Sequence, residues 1–296
     1  MTEFQFDLDA YLRRVGLASA PSPPDLAALT AVMAAQSRAI AFENLDVVLG
    51  RVPVDIAPAA VAAKLVAGGR GGYCFEQNTL LKLALEALGF DDVRFMLCRV
   101  RFGKAYEQDT PYTHLALRVS LGGAGAYLAD VGFAGTNSIA PARLGDAAPQ
   151  PLPEGLFRAR PAGAGGAEAR AGAGFVVLER QLAGEAEWKA LYMFRPDETA
   201  IDADIAVANF WSCAHRSARF TNQLFVSRVL AGADGDERHH WLDGEHTRRA
   251  ADGAATREAV ADGPHVGRLL GDVFGIRLSP GEIGGICAYL RLGTEI

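Results

Sequence analysis

Three residue types at separate points of the chain could together make a cysteine nucleophilic: Cys74, His114 and Asp130. A nucleophilic cysteine needs a base to take its proton and a third group to orient that base. Cys74 follows Arg70-Gly71-Gly72-Tyr73 and opens a segment in which Leu81, Ala84, Leu85 and Leu88 recur at helical spacing. It therefore stands at a helix start, where unpaired N–H groups and the positive end of the helix dipole favour the reactive thiolate form of a cysteine.

Singly, each residue has a blander role. Free cysteine packs as a small hydrophobe, a strand histidine is commonly a hydrogen-bonded core or surface group, and an aspartate at a strand end serves a turn. Their joint occurrence favours a triad. His114 lies in residues 112–119 and Asp130 in residues 126–131, two apolar runs that read as neighbouring strands. Alternation puts Tyr112, His114 and Ala116 on one face of the first, and Leu128 and Asp130 on one face of the second. An odd-length loop or a single bulge across Leu121-Gly122-Gly123-Ala124-Gly125 would align the two faces; an even loop would oppose them. The glycines permit either.

The elements that must position these residues change period along the chain. Helical spacing covers residues 7–17, 24–37 and 57–66, with a strand-like run at 47–54. From about residue 92 the period is two, giving strands at 93–100, 112–119, 126–131, 176–182 and 188–194. Residues 159–174 are nearly all Ala, Gly, Arg and Glu and read as a mobile loop between strands. The last third reads as a helix at 203–213, a strand at 223–230, polar turns around 234–237 and a final helix at 264–274, with 258–262 ambiguous. With no repeat and no long linker, these are three packed segments of one unit.

Composition narrows the function. The 296 residues suffice for a real core, the net charge is −6, and the basic residues form no long stripe, which speaks against a nucleic-acid partner. The four cysteines (Cys74, Cys98, Cys213, Cys287) are scattered without a Cys-x-x-Cys, and residues 1–10 lack the apolar run of a secretory signal. No stretch approaches the roughly 20 apolar residues of a membrane helix. A soluble, cytoplasmic protein with no membrane partner is the expectation. His239, His240 and His246 lack the helical spacing of a zinc-hydrolase site, so no metal is expected.

Arg-Gly-Gly-Tyr-Cys-Phe-Glu-Gln-Asn at 70–78, Thr113-His114, Asp130-Val131-Gly132-Phe133 and the earlier Phe42-Glu43-Asn44-Leu45-Asp46 resemble the arylamine N-acetyltransferases. The resemblance runs in order from about residue 4 to the C-terminus. It implies an α+β fold with a cysteine-protease-like core: a helical bundle (1–90) carrying the cysteine, an antiparallel β-barrel (91–200) carrying the histidine and aspartate, and an α/β lid (201–296). It implies ping-pong transfer of acetyl from acetyl-CoA, as co-substrate, to an arylamine, hydrazine or N-hydroxyarylamine, with a place in xenobiotic metabolism. Cys74 is then the nucleophile, His114 its base and Asp130 the orienter, with Cys74–His114 resting as thiolate and imidazolium. Phe42, Phe133 and Phe220 would line an apolar amine pocket, although any one of them could simply be core. CoA would meet Gly132, Ala134, Gly135, His215, Arg216 and Ser217. Monomer and homodimer both remain open.

Two stretches depart from the family pattern. Ala134 stands where the family has glycine, which narrows the approach to the pantetheine arm. In the lid, Cys213, Ala214, Arg216 and Ala218 replace a Ser-Thr pair, a proline and a serine, while His215, Arg216 and Arg219 could either offer phosphates new charge-assisted contacts or form a solvated basic turn. These departures keep alive an amide synthase of the same fold that uses a longer acyl thioester. A cysteine hydrolase or transglutaminase-like enzyme shares the triad chemistry, and a binding protein on the same scaffold would not need it. Arg70 has two candidate partners for an ion pair bracing the cysteine loop, Glu43 and Glu76.

Overall fold

The computed structural model describes residues 4–133, 135, 136, 138–182 and 185–292. Its first part is helical: α1 (Leu8–Val15), α2 (Leu26–Ala39), a short strand β1 (Phe42–Glu43), α3 (Leu45–Val48), α4 (Pro58–Ala62) and α5 (Cys74–Ala87). The caps are local. Asp7 and Asp25 accept from the N–H groups of Ala10 and Ala28, and Gly16 ends α1 in the left-handed conformation. Tyr11, Leu29, Val32, Met33, Leu81 and Leu85 pack together as the core beneath.

The sequence reading of a strand over 47–54 is incorrect. Residues 45–48 form α3 and the rest is irregular. Glu43 accepts from the Leu45 N–H at 2.7 Å, which turns the chain into a helical turn despite its valines.

The second part is an eight-stranded antiparallel sheet, β2 (Asp92–Val100), β3 (Tyr112–Ser120), β4 (Ala126–Ala129), β5 (Ala142–Arg143), β6 (Gln150–Leu152), β7 (Gly155–Pro161), β8 (Val176–Leu182) and β9 (Lys189–Phe194), in the order β5-β4-β3-β2-β9-β8-β7-β6. It curls into a nearly closed barrel. Across the gap the Gln150 side chain of β6 exchanges two hydrogen bonds with the Arg143 backbone of β5. The tract 159–174 is more ordered than its composition suggests. It finishes β7 and forms α6 (Gly166–Ala171), whose Glu168 is buried against Arg160 at 2.8 Å.

The third part is α7 (Asp202–Ala214), α8 (Arg219–Asn222), β10 (Phe225–Gly232), β11 (Gly235–Leu242), β12 (Glu245–Arg249), β13 (Ala255–Ala259), α9 (Gly263–Arg268) and α10 (Pro280–Leu290). The five-stranded sheet runs β1-β10-β11-β12-β13, so the short strand beside the cysteine loop is the edge of the lid sheet. His239, His240 and His246 lie on strands rather than in a turn, and no group of residues suited to a metal occurs among the described residues. Among the described residues no helix is long and apolar enough to cross a membrane.

Candidate active site

Cys74 is the first residue of α5 and is almost wholly buried. The Glu76 carboxylate accepts from the Tyr73 N–H at 3.1 Å, closing the helix start over the cysteine. Gly71 and Gly72 have a steric reason: a Cβ on Gly71 would stand 2.2 Å from the Ala41 carbonyl oxygen, and one on Gly72 would stand 2.7 Å from the Glu76 carboxylate. The loop is braced by ions. Arg70 pairs with Glu43 at 2.8 Å and with Asp46 at 3.3 Å, while Glu76 takes Lys64 at 2.7 Å. Of the two partners open to Arg70, the fold uses Glu43.

The β3–β4 hairpin decides where the histidine and aspartate point. Ser120 pairs with Ala126 and Leu117 with Ala129, leaving an odd loop of 121–125. Continuing that register by one residue sets Asp130 opposite Ala116, on the face that carries His114. His114 Nε2 and Asp130 Oδ2 are 2.8 Å apart, which leaves Nδ1 as the other ring nitrogen. Cys74 meets the same strand, its Sγ 3.9 Å from the Thr113 carbonyl oxygen.

Asp130 is held from several sides. Asn78 Nδ2 and the Gly132 N–H donate to Oδ1 at 2.9 and 2.8 Å, and the Tyr192 hydroxyl donates to Oδ2 at 2.8 Å. Burial resists its charge, yet His114, Asn78 and the Gly132 N–H hold the carboxyl below the usual range. Burial equally opposes an imidazolium, but the Asp130 carboxylate and then Cys74 outweigh it and push His114 up to about 10. Tyr192 and Asn78 were not singled out by sequence reasoning. Asn78 could have been found, because it lies one helical turn after Cys74 on the same face; Tyr192 sits in an apolar strand whose sequence gives no cue.

A cleft of about 2150 Å³ opens over Cys74 and His114 and is also lined by Phe42, Phe133 and Phe220. Phe42 and Phe220 lie 5.7 Å apart, and Phe133 meets the His114 ring edge-on at 4.9 Å. Gly132 is packed on the cysteine helix, where an added Cβ would be 2.7 Å from the Cys74 Cα. Gly135, at φ +70°, lies under His240. Ala134 is outside the described residues. Ser217 and Arg219 line the cleft. His215 stacks on Trp211 at 3.6 Å and its Nδ1 accepts from the Ser217 N–H at 3.2 Å, while the exposed Arg216 is not on the cleft wall.

A model of the N-acetyltransferase family matches residues 25–283. The arylamine N-acetyltransferase of Mycolicibacterium smegmatis is 38% identical over 77% of this chain and 78% of its own length. That of Mycobacterium tuberculosis is 35% identical over 95% and 93%. The structure of the Mycobacterium marinum arylamine N-acetyltransferase in complex with CoA superposes with a TM-score of 0.83, at 32% identity, covering 96% of this chain and 98% of that one. These relatives carry acetyltransferase names, and the amide-synthase reading gains no support from them.

Proposed function

The chain belongs to the arylamine N-acetyltransferase family of enzymes, and from that premise we propose that it carries acetyl from acetyl-CoA, through an acetyl-cysteine at Cys74, to the nitrogen of an arylamine, arylhydrazine or N-hydroxyarylamine. The observation that carries the proposal is the meeting of a cysteine opening a helix with a buried imidazole bonded to a buried carboxylate at 2.8 Å.

In the first half-reaction His114 takes the Cys74 proton and Sγ attacks the thioester carbonyl. The C–S bond to CoA breaks, and the departing thiol receives the proton from His114. In the second, the amine nitrogen attacks the acetyl-cysteine carbonyl, His114 takes the nitrogen's proton, and the Cys74 sulfur leaves with it. Both acyl groups are thioesters, so neither step is steeply uphill. Asp130 holds Nε2 throughout and compensates the imidazolium. Phe42, Phe133 and Phe220 offer a neutral flat amine the apolar walls it needs. The division into a cysteine-bearing part (1–90), a histidine- and aspartate-bearing part (91–200) and a lid (201–296) belongs to the same proposal.

The test is intact-protein mass after brief exposure to acetyl-CoA, with Cys74→Ala alongside, followed by an aryl hydrazine. The expected result is a single acetyl adduct, absent from the variant and discharged by the hydrazine with formation of the acetylhydrazide. A folded protein without an adduct would overturn the acetyl-cysteine step. Discharge by water alone, with no amine, would point to a hydrolase.

A further inference from the structure

Among the arginines that line the cleft over Cys74 are Arg180 of β8, Arg238 of β11 and Arg249 of β12. Arg238 and Arg249 stand directly opposite each other in the β11–β12 register, an arrangement that costs stability for like charges. Glu154 meets Arg238 at 2.6 Å. Arg180 has no comparable partner. It is 8% exposed, its Nε has no hydrogen-bond partner among the described residues, and its guanidinium lies 5.7 Å from the centroid of the Phe102 ring. Glu185, which acts on it from a distance, is itself paired with Lys189 at 2.5 Å. Burial holds the Arg180 guanidinium below its ordinary range; Glu185 and, more weakly, Glu154 oppose this, while Arg238 and Arg249 add to it.

A buried cation without a partner is costly, and the cost is relieved when a bound anion supplies the missing charge. A guanidinium fork matches phosphate or carboxylate oxygens, and an apolar wall such as Phe102 strengthens the pairing by lowering the local dielectric. His240, between this cluster and Gly135, is pushed down to about 3 by burial and by Arg238 and Arg249, so the positive charge rests on the arginines. We propose that Arg180, with Arg238 and Arg249, forms an anion subsite in the Cys74 cleft that takes a phosphate or carboxylate group of a substrate. Two sources share that chemistry: the phosphates of acetyl-CoA, and a carboxylate on the acceptor amine. Only this choice of sources rests on the acetyl-transfer reading.

The test is steady-state kinetics of Arg180→Met with paired substrates: acetyl-CoA against the phosphate-free thioester S-acetyl-N-acetylcysteamine, and 4-aminobenzoate against aniline. The variant is expected to raise the KM of the anionic member relative to its uncharged counterpart by about tenfold. It is also expected to raise the melting temperature of the unliganded protein, because the unpaired buried charge is gone. A change confined to acetyl-CoA assigns the subsite to the donor phosphates; one confined to 4-aminobenzoate assigns it to the acceptor. Unaltered KM ratios for both pairs would overturn the proposal. Arg249→Gln, on an exposed strand position, gives the same reading if Arg180→Met does not fold. Should the wild type transfer no acetyl, the acetyl-transfer reading fails by itself, and the subsite is read from inorganic pyrophosphate. Pyrophosphate is then expected to raise the melting temperature of the wild type more than that of the variant, and an equal shift in both would overturn the subsite.

Discussion

The protonation of His114 gives the site a measurable signature. Its imidazole is pushed from 6.5 up to about 10 on folding, chiefly by Asp130 against the opposing effect of burial. Between those values the folded protein binds a proton that the unfolded chain has released. The stabilisation is therefore complete below about pH 6.5 and is lost as pH rises toward 10. Urea midpoints are expected to fall across pH 7 to 10 in the wild type, with a shallower fall in His114→Gln; equal slopes would remove the linkage. Asn78 offers a second residue-scale test. Its amide donates to Asp130 and to the Leu115 carbonyl at 2.7 Å, and its oxygen accepts from the Val131 N–H at 3.1 Å. Asn78→Ala leaves buried backbone groups unpaired, at about 1–3 kcal/mol each. It is expected to lower kcat far more than it changes KM, because it loosens the group that orients His114. A loss of stability with unchanged kcat would make Asn78 purely structural.

Among elements, the cysteine loop and the β3–β4 hairpin were legible because alternation and helical spacing constrain side-chain direction strongly. Only the parity of one glycine-rich loop stood between His114 and Asp130, and 121–125 resolves it. Elsewhere, interactions distant in sequence overrode local composition. The tract at 159–174 reads as unstructured until Arg160 is seen to reach both Glu168 and Glu179 at 2.8 Å. The sequence does carry a cue for α10, since Ser279 and Glu282 form a capping box around Pro280. Arg180 alternates with Leu178 and Leu182 on an otherwise apolar strand face, a pattern with meaning only once the barrel mouth is seen to open into the cleft. The loop before Cys74 supplies the prediction at this scale. Arg70→Ala strands Glu43, which is fully buried, and losing one partner of such a pair costs about 3–5 kcal/mol. The variant is expected to melt at lower temperature and to acylate slowly at Cys74; wild-type melting and activity together would remove the bracing role.

Seen as a whole molecule, the lid is not packed only from its own stretch of chain. Ala41 and Leu45 share a buried core with Leu224, Val226, Trp241 and Phe274, and Leu49 packs against it. Phe42 and Glu43 form the edge strand of the lid sheet. Asn44 fastens this junction: its amide donates to the Phe220 and Gln223 carbonyls at 3.0 and 2.7 Å, and its oxygen accepts from the Phe225 N–H at 2.7 Å. The segment just ahead of the cysteine loop is thus shared between the helical part and the lid, so opening the lid disturbs the strand beside Cys74. Asn44→Ala leaves up to three backbone groups without their partner, at about 1–3 kcal/mol for each that stays buried. Hydrogen exchange is expected to accelerate over β1, α3 and β10 together, while β7 and β8, which belong to the barrel sheet, keep their protection. Acceleration restricted to β10 would mean that the lid opens without the cysteine side. Uniform acceleration over every strand would mean that the junction and the barrel share a single opening unit, and either result would remove the specific coupling of the lid sheet to the strand beside Cys74.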